Sequence, residues 1–372
     1  MKKGIFIFFM VLHVHAFAQV NEQLKWWNPK TSSFAVIGGQ EWPKEVGSFY
    51  DRFPARAQKL VRQEVWALSR NAAGLKIRFK TNANHIKVRY LVAAKSYAMD
   101  HFPATGRSGV DLYAANADGT WAWAPGKYKF ADTITYDFNN LTLDKSNYRD
   151  GRTYTLFLPL YNTVNWLEIG VEEGATFVAL PPDQQKPIVV YGTSIAQGGC
   201  ASRPGMAWTA ILERNLHTPV TNLAFSGNGR LEKEVVDLVN EIDASIFVLD
   251  CLPNLNASSD STALVVKNKI IAAVKILRAK HTNTPILLTE HSGFTENRMN
   301  ISTSAGIRAL NTASRQAYAA LQKEGVKGVY VLPADQVDMG TDGTVDGTHP
   351  SDLGMLRYAQ GYEKILKKIL NK

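Results

Sequence analysis

The stretch VVYGTSIAQGGC, residues 189–200, decides the fold. Its apolar run ending in glycine reads as a short strand buried on both faces, and Ser194 stands two residues past that glycine. A serine there has two uses. It caps the next helix by accepting from first-turn N–H groups, or it is a nucleophile held at the rim of a sheet. The second use requires a base, a group that orients the base, and donors for an oxyanion. The rest of the chain therefore discriminates between them.

Downstream of residue 187 the same kind of apolar run recurs. IVVYG, VTNLAF, SIFVLD, PILLTE and GVYVLPA are strand-like, with helical periodicity between them over 206–216, 231–242, 262–281 and 303–324. Val235, Val239 and Ile242 share one face, and a last helix places Tyr358, Tyr362, Ile365 and Ile369 on one side. Five strand-helix units in series predict a doubly wound, five-stranded parallel sheet.

Upstream the period is two. From about residue 30 to 178 apolar positions alternate with polar ones, as in Leu75, Ile77 and Phe79 between Lys76, Arg78 and Lys80. Ile86, Val88 and Tyr90 alternate with Lys87 and Arg89 in the same way. Such strands have one wet face, and many of them without a long helix predict an antiparallel, jelly-roll-like β-sandwich. The Pro-rich stretch 181–187 divides a sandwich over 20–180 from an α/β domain over 181–372. The α/β domain has strands and helices enough to fold alone. A tether stiffened by Pro181, Pro182 and Pro187 keeps the sandwich close, and the expectation is that it reaches along the sheet edge to line one wall of the cleft.

In a doubly wound sheet ligands bind beyond the carboxyl ends of the strands. Ser194 leaves that edge, and so do three other loops. FSGNGR carries Gly227 and Gly229, whose freedom in φ lets backbone N–H groups face a ligand. DCLPNLN carries Asn254, and VDGTHPSDLG carries Asp346 and His349 three residues apart. Each loop alone has a plain structural explanation, as a turn or a solvated surface loop. Together they supply a nucleophile, a base with its orienting carboxylate, and oxyanion donors. An α/β-hydrolase elbow, the nearest competing arrangement, needs Gly-x-Ser-x-Gly, and Ala196 occupies the second glycine position.

These residues resemble the SGNH hydrolases, or GDSL-like esterases and lipases. Gly192-Thr193-Ser194 corresponds to the first block, with threonine in place of the usual aspartate. Gly227 matches the second block, and Asn254 the third, where Leu252 and Pro253 replace the usual glycines. Asp346 through Pro350 match the Asp-x-x-His-Pro block. GVDLY at 109–113 is similar to the GxDLY motif of a β-rich domain that precedes this hydrolase type in secreted bacterial proteins. The resemblance implies a serine esterase. His349 would take the proton of Ser194, Asp346 would orient the imidazole, and the N–H groups of Ser194 and Gly227 with the Asn254 amide would hold the oxyanion. Asp342 and Asp352 lack the family spacing, and no role is expected of them.

The residues MKKGIFIFFMVLHVHAFAQ have the layout of a secretory signal peptide ending near position 19, with no cysteine after it for a lipid anchor. The expected location is secreted or periplasmic. A net charge of +9, or +7 without Lys2 and Lys3, is scattered rather than clustered, which argues against nucleic acid as a partner. The apolar run is too short to span a membrane. No zinc spacing or HExxH is present, so no metal and no cofactor is expected. Cys200 and Cys251 sit in loops that leave the same edge, six residues after Ser194 and three before Asn254. In an exported protein a disulfide bracing the oxyanion hole is the expectation, with two buried thiols as the alternative. Secretion and a glycan-friendly sandwich favour an acylated carbohydrate, or another small ester, as the substrate. A lipase, a thioesterase, or a carbohydrate-binding protein with an inactive hydrolase domain are the alternatives.

Overall fold

The computed structural model describes residues 23–141, 148 and 150–372, and the expected signal peptide lies outside them. Eleven strands precede residue 181: β1 (Leu24–Trp27), β2 (Ile37–Gly38), β3 (Lys76–Thr81), β4 (Ile86–Val92), β5 (Asp111–Ala115), β6 (Trp121–Ala124), β7 (Lys127–Lys129), β8 (Ile134–Phe138), β9 (Arg152–Phe157), β10 (Val164–Glu172) and β11 (Phe177–Leu180). They form two antiparallel sheets, ordered β1-β10-β4-β8-β7 and β11-β3-β9-β5-β6, with β2 on β3. Leu75, Ile77, Phe79, Ile86, Val88 and Tyr90 all face the core between the sheets, as the period-two pattern requires. Two short helices, α1 (Gln63–Ser69) and α2 (Ala104–Arg107), lie in its connections.

The second half contains β12 (Ile188–Gly192), β13 (Val220–Ala224), β14 (Ile246–Asp250), β15 (Ile286–Thr289) and β16 (Val329–Leu332). All pair in parallel, in the order β13-β12-β14-β15-β16. Every residue of β12, β13 and β14 is buried because helices cover both faces. Those helices are α3 (Ser194–Gln197), α4 (Trp208–Leu216), α5 (Lys233–Val239), α6 (Asp260–Lys280), α7 (Ile301–Lys323) and α8 (Asp352–Leu370). Side chains alternate between faces: Val189 and Tyr191 join the core under α5, α6 and α7, while Ile188 and Val190 join the core under α4 and α8.

Two findings depart from the sequence reading. First, the α/β cores are not self-contained. Trp42, Phe53, Ala57, Val61 and Val65 pack into one of them, and Phe102, Tyr113, Phe157 and Leu160 into the other. Second, one sandwich sheet has no fully wet face. Its outer side packs on α4, so Lys76 is 3% exposed and pairs with Glu213, and Asp111 is 3% exposed. Strand β13 is an edge, and an open edge presents unpaired carbonyls. Arg52 closes it, with Nη1 donating to the carbonyls of Asn222 and Ala224 at 2.9 Å each. Burial pushes the Arg52 pKa down to about 9, which leaves the guanidinium charged at neutral pH.

Candidate active site

Ser194 is the first residue of α3 and does not cap it. The N-cap position belongs to Thr193, which makes no side-chain capping bond. The Ser194 hydroxyl instead lies 2.9 Å from Nε2 of His349, across 155 residues of chain. His349 Nδ1 is 2.7 Å from Oδ2 of Asp346. The other carboxylate oxygen, Oδ1, accepts the amides of Thr348 at 2.9 Å and His349 at 2.6 Å, so the loop orients its own acid. Burial works against a charged Asp346, but the hydrogen bonds from the His349 ring and these two amides hold its carboxyl below the ordinary range. An ionised Asp346 is suited to fixing the tautomer that leaves Nε2 ready to accept the Ser194 proton.

Three candidate donors lie on the segments that follow β12, β13 and β14. The Ser194 N–H opens a helix and has no intrahelical acceptor. Gly227 holds φ at +68°, a left-handed conformation that a side chain rarely adopts, and this sets the direction of its N–H. Asn254 accepts the Gly229 N–H at 3.1 Å through Oδ1, which leaves its NH₂ end to donate. Among the described residues, none of these three donors has a hydrogen-bond acceptor in the protein. The arrangement can pass a proton from a serine hydroxyl to an imidazole and receive a negatively charged oxygen beside it.

Several supporting residues escaped the sequence reading. Gln197, fully buried, accepts the Ser226 N–H at 2.8 Å and donates to Leu160 O at 3.2 Å, tying α3 to the Gly227 loop. Tyr161, from the sandwich half, donates its hydroxyl to the Ser194 carbonyl at 3.0 Å. Asp352 accepts Ser202 N at 2.8 Å and Ser202 Oγ at 2.5 Å, linking the segment after α3 to the start of α8. None of these sits at a spacing that announces its partner. Asp111 did carry a signal, the GVDLY motif. Its carboxylate accepts Trp123 Nε1 at 2.7 Å and Gly205 N at 3.0 Å, so it joins the sandwich to the segment following α3. Among the described residues, Asp342 contributes its backbone carbonyl alone, to the Ser351 hydroxyl at 3.3 Å.

The expected disulfide is absent: Cys200 and Cys251 are free thiols. Both loops leave the same edge, but the side chains diverge. Cys251 packs in the core under α5, α6 and α7 with its thiol on the Tyr191 carbonyl at 3.4 Å, whereas Cys200 packs on the core of the opposite face. The sheet stands between them. Among the described residues no group of three or more His, Cys, Asp or Glu side chains could hold a metal ion, and no helix is long and apolar enough to cross a membrane.

Comparison with known proteins places the two halves of the chain in families. Residues 185–367 match the GDSL-like lipase/acylhydrolase family, and residues 24–177 match the GxDLY N-terminal region of SGNH-hydrolase-type esterases. No curated protein matches the chain. Among solved structures, the salicylyl-acyltransferase SsfX3 from a tetracycline biosynthetic pathway shares the fold, with TM-score 0.72 and 19% identity over 93% of this chain and 97% of that one. An acetyl xylan esterase, Est2A, from the rumen bacterium Butyrivibrio proteoclasticus has TM-score 0.54 and 10% identity over 94% of this chain and 100% of that one. A protein from Bacteroides ovatus ATCC 8483, assigned as a GDSL-like lipase, aligns with TM-score 0.83 and 32% identity over 94% of this chain and 98% of that one. The chain therefore belongs to the GDSL-like lipase/acylhydrolase family, with the GxDLY region of SGNH-type esterases ahead of its α/β half.

Proposed function

We propose that the protein is an exported serine esterase that removes small acyl groups, chiefly acetyl, from carbohydrate. The observation that carries the reading is the continuous Ser194–His349–Asp346 hydrogen-bond chain beside three donors free of acceptors in the protein. His349 accepts the Ser194 proton as Oγ attacks the ester carbonyl. The N–H groups of Ser194 and Gly227 and the Asn254 amide take the oxyanion. The protonated His349 then delivers its proton to the departing alcohol, leaving an acyl group on Ser194. Water, deprotonated by His349, releases the acid and restores the serine.

Carbohydrate as the alcohol is supported by the fold shared with proteins named carbohydrate esterases, such as the family two enzyme from Cellvibrio japonicus (TM-score 0.52, 12% identity). Export rests on residues 1–19. The test assays purified protein on 4-nitrophenyl acetate and on a panel of acetylated plant glycans, with Ser194→Ala as control. Acetate release from at least one glycan that disappears in Ser194→Ala supports the proposal. Release only from long-chain acyl esters or thioesters overturns the carbohydrate reading, and no hydrolysis by folded protein overturns the esterase.

A further inference from the structure

The carboxylate of Asp346 is approached from two directions. Its Oδ1 is set within its own loop by the amides of Thr348 and His349. Its Oδ2, the oxygen that receives His349 Nδ1, also faces Nε2 of His101 at 3.7 Å. His101 comes from the sandwich half, in the segment between β4 and α2. Among the described residues it is the one side chain outside the 345–349 loop that pairs with this carboxylate.

An exposed histidine at 3.7 Å ordinarily contributes little, because a free side chain and water dilute the contact. This one is 53% exposed, but its backbone is anchored on both sides. Met99 and Phe102 exchange backbone hydrogen bonds at 2.9 and 3.1 Å, closing a tight turn around Asp100 and His101. Phe102 is 2% exposed and meets Tyr161 edge to face at 5.0 Å, and Tyr161 holds the Ser194 carbonyl. Before the turn, the Arg107 guanidinium donates to Ala98 O at 2.7 Å and Ser96 Oγ at 3.0 Å. After it, Thr105 Oγ1 donates to Ser202 O at 2.6 Å, and Gly106 packs so closely that a Cβ would stand 2.0 Å from the Ala201 carbonyl. The turn is thus fixed to the nucleophile segment itself, and His101 reaches the same carboxylate oxygen that receives His349.

We propose that His101 is a positioning residue for Asp346: the sandwich completes the proton relay by holding Oδ2 in line with His349. This rests on the esterase reading of the same site. It gives the GxDLY region a part in turnover of any ester, beyond a choice among polymers. Because His101 is exposed and packs against no core, its replacement leaves the fold intact.

The experiment compares full-length wild type, His101→Ala, His101→Gln, Asp346→Asn and the double variant Asp346→Asn/His101→Ala, for kcat and KM on 4-nitrophenyl acetate and for Tm. The proposal expects His101→Ala to lower kcat about tenfold with KM and Tm nearly unchanged, because small displacements of a catalytic group act on turnover rather than binding. Glutamine, which keeps a donor at similar reach, recovers most of the loss. In the Asp346→Asn background the His101→Ala change costs less than about twofold, since residues acting through one another are not additive. An unchanged kcat, a rise in KM alone, or an equal loss in both backgrounds overturns the proposal. A parallel proton NMR measurement follows the low-field signal of the His349 Nδ1 proton. It is expected to move or broaden in His101→Ala, and an unaltered signal overturns the proposal. Because that readout needs no turnover, it separates failure of this inference from failure of the esterase reading.

Discussion

Asp346 and Asp250 stand at the carboxyl ends of the same parallel sheet, and their surroundings push them in opposite directions. Asp346 lies in the loop ahead of α8, where an imidazole and two amides donate to it and hold its pKa down despite partial burial. Asp250 ends β14, is 1% exposed, and accepts from the Thr289 hydroxyl at 3.1 Å. Burial raises it from 3.8 to about 6. Position on the edge does not decide which carboxylate works. The number and kind of donors do, and of these two only the loop acid has enough of them to hold its carboxyl below the ordinary range. Asp111 is a third case, raised by burial to about 6 even with Arg203 3.7 Å away, because it sits inside the contact between the two halves.

The largest test of this contrast removes the relay. Ser194→Ala and His349→Ala are each expected to lower kcat/KM by at least about 10³-fold, with Tm within a few degrees of wild type. A Ser194→Ala protein retaining a tenth of its turnover would break the assignment. Asp346→Asn should cost less than either, because the His349 ring keeps its contact with the serine while losing its charged partner. Its effect on stability has a definite sign. Asp346 is depressed in the folded protein, so its stabilisation is present above the ordinary carboxylate value and is lost as pH falls below it. The Tm gap between wild type and Asp346→Asn should therefore be clear at pH 6 and close in strong acid.

Asp250→Asn should show the opposite sign. A carboxyl raised from 3.8 to about 6 destabilises the fold by up to about 3 kcal/mol once it is ionised. The penalty is absent below pH 4, grows between pH 4 and 6, and is then constant. Asparagine removes the charge and keeps an acceptor for Thr289. Thermal unfolding should find the variant more stable than wild type at pH 8 and equal at pH 4, and a lower Tm at both would mean that shape rather than charge governs the site. The smallest expected effect is that of reductant. With both cysteines free, dithiothreitol should leave Tm unchanged, and thiol titration of the denatured protein should count two.

The comparison also bears on removing the sandwich. Sequence periodicity made the α/β half look capable of folding alone. The structure threads Phe53, Val65, Tyr113 and Phe157 into its two cores and caps the edge of β13 with Arg52. A chain starting near Gln184 exposes those cores and leaves the Asn222 and Ala224 carbonyls without their donor. Truncation therefore cannot separate substrate choice from stability, which is why point changes such as His101→Ala are the sharper probe.

What the sequence by itself determined is what depends on short spacings. Alternation of period two set Leu75, Ile77 and Phe79 inward, continuous apolar runs marked β12 through β16, and their order placed Ser194, Gly227, Asn254 and the Asp346–His349 pair on one rim. Each of those inferences spans a few residues or follows from the handedness of one strand-helix unit. Tertiary structure alone decided which face of a sandwich sheet stays wet, which side of the parallel sheet each cysteine enters, and which side chains of the first half stand beside the second. Lys76 and Lys80 look alike in sequence, yet Lys76 is buried against Glu213 while Lys80 is not. Cys200 and Cys251 look like a pair and face apart. His101 and Asp346 lie 245 positions apart and meet because the cores shared between the halves hold the sandwich turn against the segment that follows Ser194. Periodicity reports a residue's side of its own element, and it is silent about what the packing of distant elements brings to that side.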